Sequence, residues 1–220
     1  SKYKSKNIYD LKKLNVVSMI PLKGESKILE NQPLINITIE YLKKSKYINQ
    51  IFVSTDNKKT QKLVQKIGAK APFLRPAKLS NDYASSYAVC AHAINFYEKK
   101  YTSIDAILLL QPTSPFRSKS VIDTIIKDFH KMKSRSVVSV QKLNLNPLSI
   151  IEKKLNKNHF FLKDKKNLFK INGNFYLIEK ELFLKKKKFF LPDTILYESE
   201  SFKEGIDIDD INDFKFAKLF

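Results

Sequence analysis

A chain of 220 residues that is 43% hydrophobic can bury a substantial core within one domain, which excludes disorder as the default. No run approaches the ~18 uninterrupted apolar residues of a membrane span, and the polar start Ser1-Lys2-Tyr3-Lys4-Ser5-Lys6 lacks the apolar centre of a secretory leader, so the expected setting is the cytoplasm, away from membranes. The net charge of +19 invites a polyanion-binding reading, but Arg75, Arg117 and Arg135 are the arginines and the lysines are spread along the whole chain, unlike the concentrated, arginine-bearing face of a nucleic-acid module.

Leu14 to Ile20 reads as a short buried strand, and Pro33 to Leu42 as an amphipathic helix starting beside a proline. Gln50 to Ser54 is a second strand; the helix that follows from Asn57 stops at Gly68, where a positive φ is sterically free. Ala71 to Leu74 is a short third strand and Ala84 to Lys100 a long helix. Cys90, the single cysteine, lies in an apolar run of that helix; it excludes an internal disulfide, agrees with a reducing compartment, and reads as a buried small hydrophobe. Ala106 to Leu110 is an almost wholly apolar strand, as expected where helices cover both sheet faces. Val121 to Met132 is helical and Ser136 to Val140 is another strand.

Beyond Gln141 the rhythm changes. Asn144 to Phe169 is rich in Lys and Asn, contains Pro147 and has no clean period, so it reads as an excursion from the sheet. A strand returns at Phe175 to Ile178, and the chain closes through Ile195 to Tyr197, the acidic Ile206-Asp207-Ile208-Asp209 stretch and a short helix after Asp210. The Lys185 to Lys188 run reads as a solvated face. Strands alternating with helices of this length predict an α/β fold, three-layered around a mainly parallel, Rossmann-like central sheet, in a single domain over residues 1–220.

Ligands of such sheets bind beyond the carboxyl ends of the strands. Four segments there carry chemistry. Ile20 to Lys27 holds one glycine and two lysines four residues apart, suited to a triphosphate through backbone N–H groups and ammonium charge, although it is not a Walker A loop and a polar surface loop is the plain alternative. Phe73 to Ser86 leads into the long helix, with Asn81 or Asp82 as candidate cap and Ser85 and Ser86 in the first turn; capping alone is the plain alternative. Leu108 to Arg117 ends a strand in Gln111, an amide able to donate and accept, followed by Pro112 and Pro115, which stiffen the loop; a plain turn is the alternative. In Gly205 to Asp210, alternation puts Asp207 and Asp209 on one side of an extended chain, about 6–7 Å apart at Cα, where carboxylates can share a hard cation with phosphate oxygens; Asp209 or Asp210 could instead cap the last helix. His92, His130 and His159 are scattered, and no Gly-x-Ser-x-Gly elbow occurs.

In order, these stretches resemble the acylneuraminate cytidylyltransferase family, from the first strand to the last helix. The matching segments are Pro21 to Lys27, Val53-Ser54-Thr55-Asp56, Phe73 to Ser86, Leu109 to Arg117, Ser136 to Val140, Ile171-Asn172-Gly173 and Ile206 to Asp209. The resemblance implies a nucleotidyltransferase fold and a reaction in which CTP and a sialic-acid-like nonulosonic acid give a CMP-sugar and pyrophosphate. It implies that Lys23, Gly24, Ser26 and Lys27 hold the triphosphate, that Arg75, Ala84 and Ser86 surround the cytosine, and that Gln111, Lys170 and Asn172 hold the sugar. Asp207 and Asp209 would bind Mg²⁺, and together with Lys27 they form the implied catalytic set. A homodimer built on an arm at about residues 143–168 is the implied assembly.

The chain departs from the family at several points. Five residues separate Lys27 from Pro33 where the family has a longer phosphate loop, Lys23 stands where arginine is usual, and Glu25 replaces a small residue. Lys163 is the candidate stand-in for the family's first substrate arginine in the arm. Two further readings stand beside the synthetase: a degenerate homologue that binds a nucleotide or partner without turnover, and a nucleic-acid-binding protein.

Overall fold

A computed structural model describes residues 11, 13–119, 121–131, 135–143, 151–152, 160–161 and 168–220. The first strand, β1 (Val16–Leu22), is followed by a two-residue hairpin, β2 (Ile28–Leu29) and β3 (Gln32–Pro33), and by α1 (Leu34–Lys43). Positive φ at Glu30 and Asn31 makes this a tight two-residue turn between Lys27 and α1. Then come β4 (Ile48–Thr55), α2 (Lys58–Lys66), α3 (Ser86–Lys100), β5 (Ala106–Leu109), α4 (Val121–Lys131) and β6 (Ser136–Leu143). A small antiparallel pair, β7 (Ile151–Glu152) with β8 (Phe160–Phe161), precedes β9 (Leu168–Glu179), α5 (Lys180–Lys186), β10 (Ile195–Glu198) and α6 (Ile211–Ala217).

Six strands form the central sheet in the order β10-β6-β9-β5-β1-β4. The pairs β10–β6, β5–β1 and β1–β4 are parallel, while β9 runs antiparallel to both β5 and β6. The sheet is thus mostly parallel, as expected, with one reversed strand inside it.

Alternation along each strand divides the core between the two faces. Val16 and Ile20 of β1 pack with Ile35, Ile39 and Leu42 of α1, Val64 of α2 and Ile122, Ile126 and Phe129 of α4. Val17 and Met19 face the other way, onto Cys90, Ala93 and Ile94 of α3 and Phe183 of α5. Both faces are therefore covered, which explains the apolar run in β5. A third, smaller cluster joins Leu29 and Leu34 to Ile206, Ile208 and Ala217 and anchors the last helix to the first.

Two local expectations fail for identifiable reasons. Ala71 to Leu74 is not a strand: it touches β4 through isolated bridges at Lys70 and Leu74, and Pro72 between them has no N–H to give a ladder. The cap of α3 is Ser85, whose hydroxyl accepts from the Ala88 N–H at 3.1 Å, rather than Asn81 or Asp82. Asn57 does cap α2, accepting from Thr60 N–H at 2.9 Å, and Gly68 beyond it has φ 87°. The arm expected at 143–168, with Lys163, lies largely outside the described residues. Among the described residues no helix is long and apolar enough to cross a membrane.

Cys90 tests the burial of the α3 face. It is 1% exposed, and desolvation pushes its thiol up to about 12. At pH 8 the native protein should react with a thiol reagent only at the rate of unfolding, while urea-denatured protein reacts at once; immediate labelling of native Cys90 would contradict this packing.

Candidate functional site

Because β9 is reversed, its first half lies at the carboxyl ends of the parallel strands. Tyr176 pairs with Leu109 of β5, so Gly173, Asn172 and Lys170 lie beyond that strand's end. The ladder to β6 slips between Val138 and Val140. There the Ser139 hydroxyl accepts from the Phe175 N–H at 3.0 Å, and Gly173 takes φ 76°. A Cβ on Gly173 would fall 2.9 Å from the Ser114 hydroxyl and inside van der Waals contact of the Gln111 side-chain oxygen, so glycine is what lets Gln111 lie across β9.

The phosphate-loop candidate leaves β1 and is tied down at each residue. Gly24 has φ 67°; its N–H donates to the Asp56 carboxylate at 2.7 Å, its carbonyl accepts from the Thr60 hydroxyl at 3.0 Å, and the space a Cβ would fill is open. Glu25 is turned away onto Lys59 at 2.9 Å, an exposed pair. Ser26 Oγ accepts from Ile35 N–H at 3.1 Å, and the Lys27 carbonyl accepts from Leu34 N–H at 2.8 Å, which attaches the loop to the start of α1.

The two lysines point in different directions. Lys27 Nζ donates to the carbonyls of Ile208 at 2.6 Å and Asp209 at 2.5 Å. Lys23 Nζ pairs with Asp82 at 2.6 Å, and this hydrogen bond and charge hold the exposed Asp82 carboxyl below the usual range. Arg75 is 6% exposed. It donates to Ser80 Oγ at 3.2 Å and to the carbonyls of Ser54 at 3.3 Å and Leu22 at 3.4 Å, so it brackets the ends of β1 and β4. Ala84 N–H donates to the Asn81 carbonyl at 3.3 Å, and Ser86 opens α3 in an exposed position. Lys23, Asp82, Ala84 and Ser86 thus line the side where β1, β4 and α3 meet.

On the other side, the Gln111 loop and the acidic segment are joined directly: Ile208 N–H donates to the Thr113 carbonyl at 2.8 Å. Ile206 and Ile208 are buried in the third cluster, which turns Asp207 and Asp209 the opposite way. Asp207 Oδ1 is buried without a hydrogen-bond partner. Asp210 caps α6 in a reciprocal box with Asp213, whose carboxyl is held low by the backbone N–H groups of Asp210 and Asp209; the capping alternative therefore belongs to Asp210 and not to the Asp207/Asp209 pair.

A buried carboxylate oxygen with no donor is what a cation would satisfy. Among the described residues no cluster of three or more His, Cys, Asp or Glu could hold a metal. Two carboxylates at i and i+2 suit a cation that takes the rest of its shell from phosphates and water, as Mg²⁺ does.

Asn172 is less available than expected. It is 2% exposed, its amide donates to Ser199 Oγ at 2.5 Å, and its side-chain oxygen accepts from Asn174 N–H at 3.3 Å. In this conformation it shapes the ground beneath Gln111 rather than presenting a free amide. Lys170 is exposed at the edge, opposite Gln141 in the β6 ladder. The residues given no role from the sequence are Asp56, Ser199 and Arg117: their roles come from contacts across the fold, although Asp56 and Arg117 lie within segments singled out above.

The sequence model of the cytidylyltransferase family matches residues 22–219. The chain is 28% identical to the CMP-N,N'-diacetyllegionaminic acid synthase of Legionella pneumophila, over 89% of this chain and 91% of that one. It is 31% identical to the N-acylneuraminate cytidylyltransferase of Escherichia coli O18:K1:H7 over 92% of its length, spanning 51% of that longer protein. Against the pseudaminic acid cytidylyltransferase of Campylobacter jejuni the identity is 26%, over 91% and 94% of the two chains. Among solved structures, the 4-diphosphocytidyl-2C-methyl-D-erythritol synthase of Anaerococcus prevotii superposes with a TM-score of 0.71 at 14% identity, over 98% of both chains. A CMP:2-keto-3-deoxy-manno-octonic acid synthetase complexed with CTP gives 0.64 at 14% identity, over 93% of this chain and 97% of that one. At these identities the two structures speak for the fold alone.

Gly173→Ala should displace the Gln111 side chain and strain a positive-φ position, lowering stability by ~1–3 kcal/mol. Urea unfolding of the variant checks this; wild-type stability would mean that Gln111 does not lie against Gly173.

Proposed function

Because the chain belongs to the cytidylyltransferase family, we propose that it transfers the cytidylyl group of CTP to a nonulosonic acid, giving a CMP-sugar and pyrophosphate. The observation that carries this reading is the meeting of three loops at the carboxyl edge: Lys27 of the first is bonded to the Ile208 and Asp209 carbonyls, and Ile208 is bonded to Thr113 beside Gln111. The names of the relatives support the sugar class, since those named above are synthases or cytidylyltransferases of legionaminic, acylneuraminic and pseudaminic acids.

In this reading the cytidine lies between the phosphate loop and the start of α3, near Ala84 and Ser86, with Arg75 supporting the floor rather than reaching the base. The triphosphate arrives over Gly24, where no side chain blocks its approach, and draws Lys23 from Asp82, an exposed partner that holds it weakly. Lys27 keeps a fixed positive charge beside the acidic segment. Mg²⁺, when held by Asp207 and Asp209, would neutralise phosphate charge and polarise the phosphoryl group. Gln111 orients the sugar acid, with Lys170 at the rim for its carboxylate. The anomeric oxygen forms the new bond to the α-phosphorus, the bond to pyrophosphate breaks, and the hydroxyl proton has an acceptor in Asp207 or Asp209. Catalysis of this kind is positioning and charge stabilisation.

The shortened loop is compatible with turnover in the same reading. The β2–β3 hairpin closes the gap between Lys27 and α1, so the loop keeps its anchor through Ser26 and Ile35. A cytoplasmic setting and a homodimer through the arm complete the proposal. The degenerate-homologue reading is weakened by Asp207, whose unpartnered buried oxygen is a liability in a protein that never binds a cation.

Pyrophosphate release from CTP and Mg²⁺ with a panel of nonulosonic acids tests the function. Wild type should release pyrophosphate with one of them, and Asp209→Asn should lose at least ~10²-fold in rate while keeping its thermal midpoint. A fully active Asp209→Asn would refute the metal assignment, and CTP binding without release across the panel would favour the degenerate homologue.

A further inference from the structure

Arg117 lies six positions beyond Gln111 in the loop between β5 and α4, and its side chain is half-buried. Its donors are divided among three elements. Nη2 reaches the Gln111 carbonyl at 2.7 Å, Nε reaches the Asn174 carbonyl of β9 at 3.2 Å, and Nη1 reaches Thr38 Oγ1 of α1 at 3.4 Å. The guanidinium carbon stands 5.8 Å from the centre of the Tyr41 ring, also on α1.

Among the described residues the groups it is bonded to are neutral, so no full ion pair offsets its desolvation, which lowers its pKa to about 10 but leaves it cationic at neutral pH. An apolar side chain could fill such a volume at less electrostatic penalty. What it could not do is hydrogen-bond a loop carbonyl and a strand carbonyl at once, which the rigid fork of a guanidinium does.

The two carbonyls belong to the places where the sugar side of the site is shaped. Gln111 carries the amide that crosses Gly173, and Asn174 follows Gly173 directly. The Asn174 amide in turn donates to the Glu204 carbonyl at 2.9 Å, beside the segment that leads to Asp207, and the Glu204 carboxylate accepts from the Ser118 hydroxyl next to Arg117. Through Thr38 the same side chain reaches α1, whose first turn carries the phosphate loop.

We propose that Arg117 is a positioning residue for the sugar half of the site: its fork fixes the Gln111 loop against β9, so that the Gln111 amide is held across Gly173 before substrate arrives. The sugar assignment rests on the function proposed above; the geometric claim does not. Arg117 itself touches no substrate. It acts through Gln111, and its loss is felt by the sugar acid and not by the nucleotide.

The test uses Arg117→Lys and Arg117→Met, with Arg135→Met as a control at an ion pair with Glu179 remote from Gln111. The first measurement is the side-chain amide signal of Gln111 in ¹⁵N-labelled, ligand-free protein, assigned by its loss in Gln111→Glu. In Arg117→Lys, which keeps the charge but not the fork, this signal should shift or broaden, and in Arg135→Met it should stay. The second is steady-state kinetics: the KM for the sugar acid should rise by about 10- to 100-fold, with the KM for CTP within about twofold. Should Arg117→Met fail to fold, Arg117→Lys carries both measurements. An unmoved Gln111 signal in folded Arg117→Lys overturns the proposal, as does an equal rise in both KM values. A shifted signal in a protein that turns over no sugar would support the positioning role while removing the proposed function.

Discussion

The reversed strand β9 is hydrogen-bonded on both sides to strands running the other way, and the arrangement of the site depends on that pairing. A parallel β9 would deliver its late residues, around Glu179, to the carboxyl edge; the antiparallel one delivers Lys170 to Asn174. Apart from Ile171 those residues are polar or glycine, and they would weaken a strand buried on both faces. They are tolerated because they stand at the end of the core, where the ladder to β6 slips and the Ser139 hydroxyl satisfies the Phe175 N–H. The slip and Gly173 together open the space into which Gln111 folds.

The site is held from below by polar groups that are almost all used internally. Arg75 binds the ends of β1 and β4, Arg117 binds the Gln111 loop to β9, and Lys27 binds the phosphate loop to the acidic segment. The net charge of +19 is carried mainly by dispersed lysines, but these three cations have definite partners. Asp207 Oδ1 is one of several buried side-chain atoms without a hydrogen-bond partner, and of these it alone is a carboxylate oxygen, the kind a cation would satisfy.

Much of the fold was legible because hydrophobic period and punctuation agreed. The apolar run at Ala106, the helix from Asn57 and its stop at Gly68 fell where local chemistry put them. The failures have physical causes. Pro72 removed a strand that its apolar neighbours suggested, and Ser85 is the cap because α3 starts at Ser86, which puts the cap position three residues beyond Asp82. β9 is far longer than its apolar centre at Phe175 to Ile178, since Lys170, Asn172 and Asn174 hide its first half. In the site, the Asp207/Asp209 spacing and the Gln111 loop were readable as motifs. The availability of Asn172 was not, because it depends on Ser199, and the bracket formed by Arg117 depends on α1 and β9; neither relation leaves a local trace in the chain.

The central claim is that the phosphate loop, the Gln111 loop and the acidic segment surround one nucleotide and one cation at the carboxyl edge of the sheet. Paramagnetic broadening tests it directly: Mn²⁺ is titrated in the presence of CTP while backbone amide signals are followed. The account predicts early loss of the signals of Gly24, Lys27, Thr113, Asp207 and Asp209, with Ser45 and Gly68 at the opposite end of β4 unaffected. Broadening that spares Asp207 and Asp209, or that begins elsewhere on the surface, would contradict it.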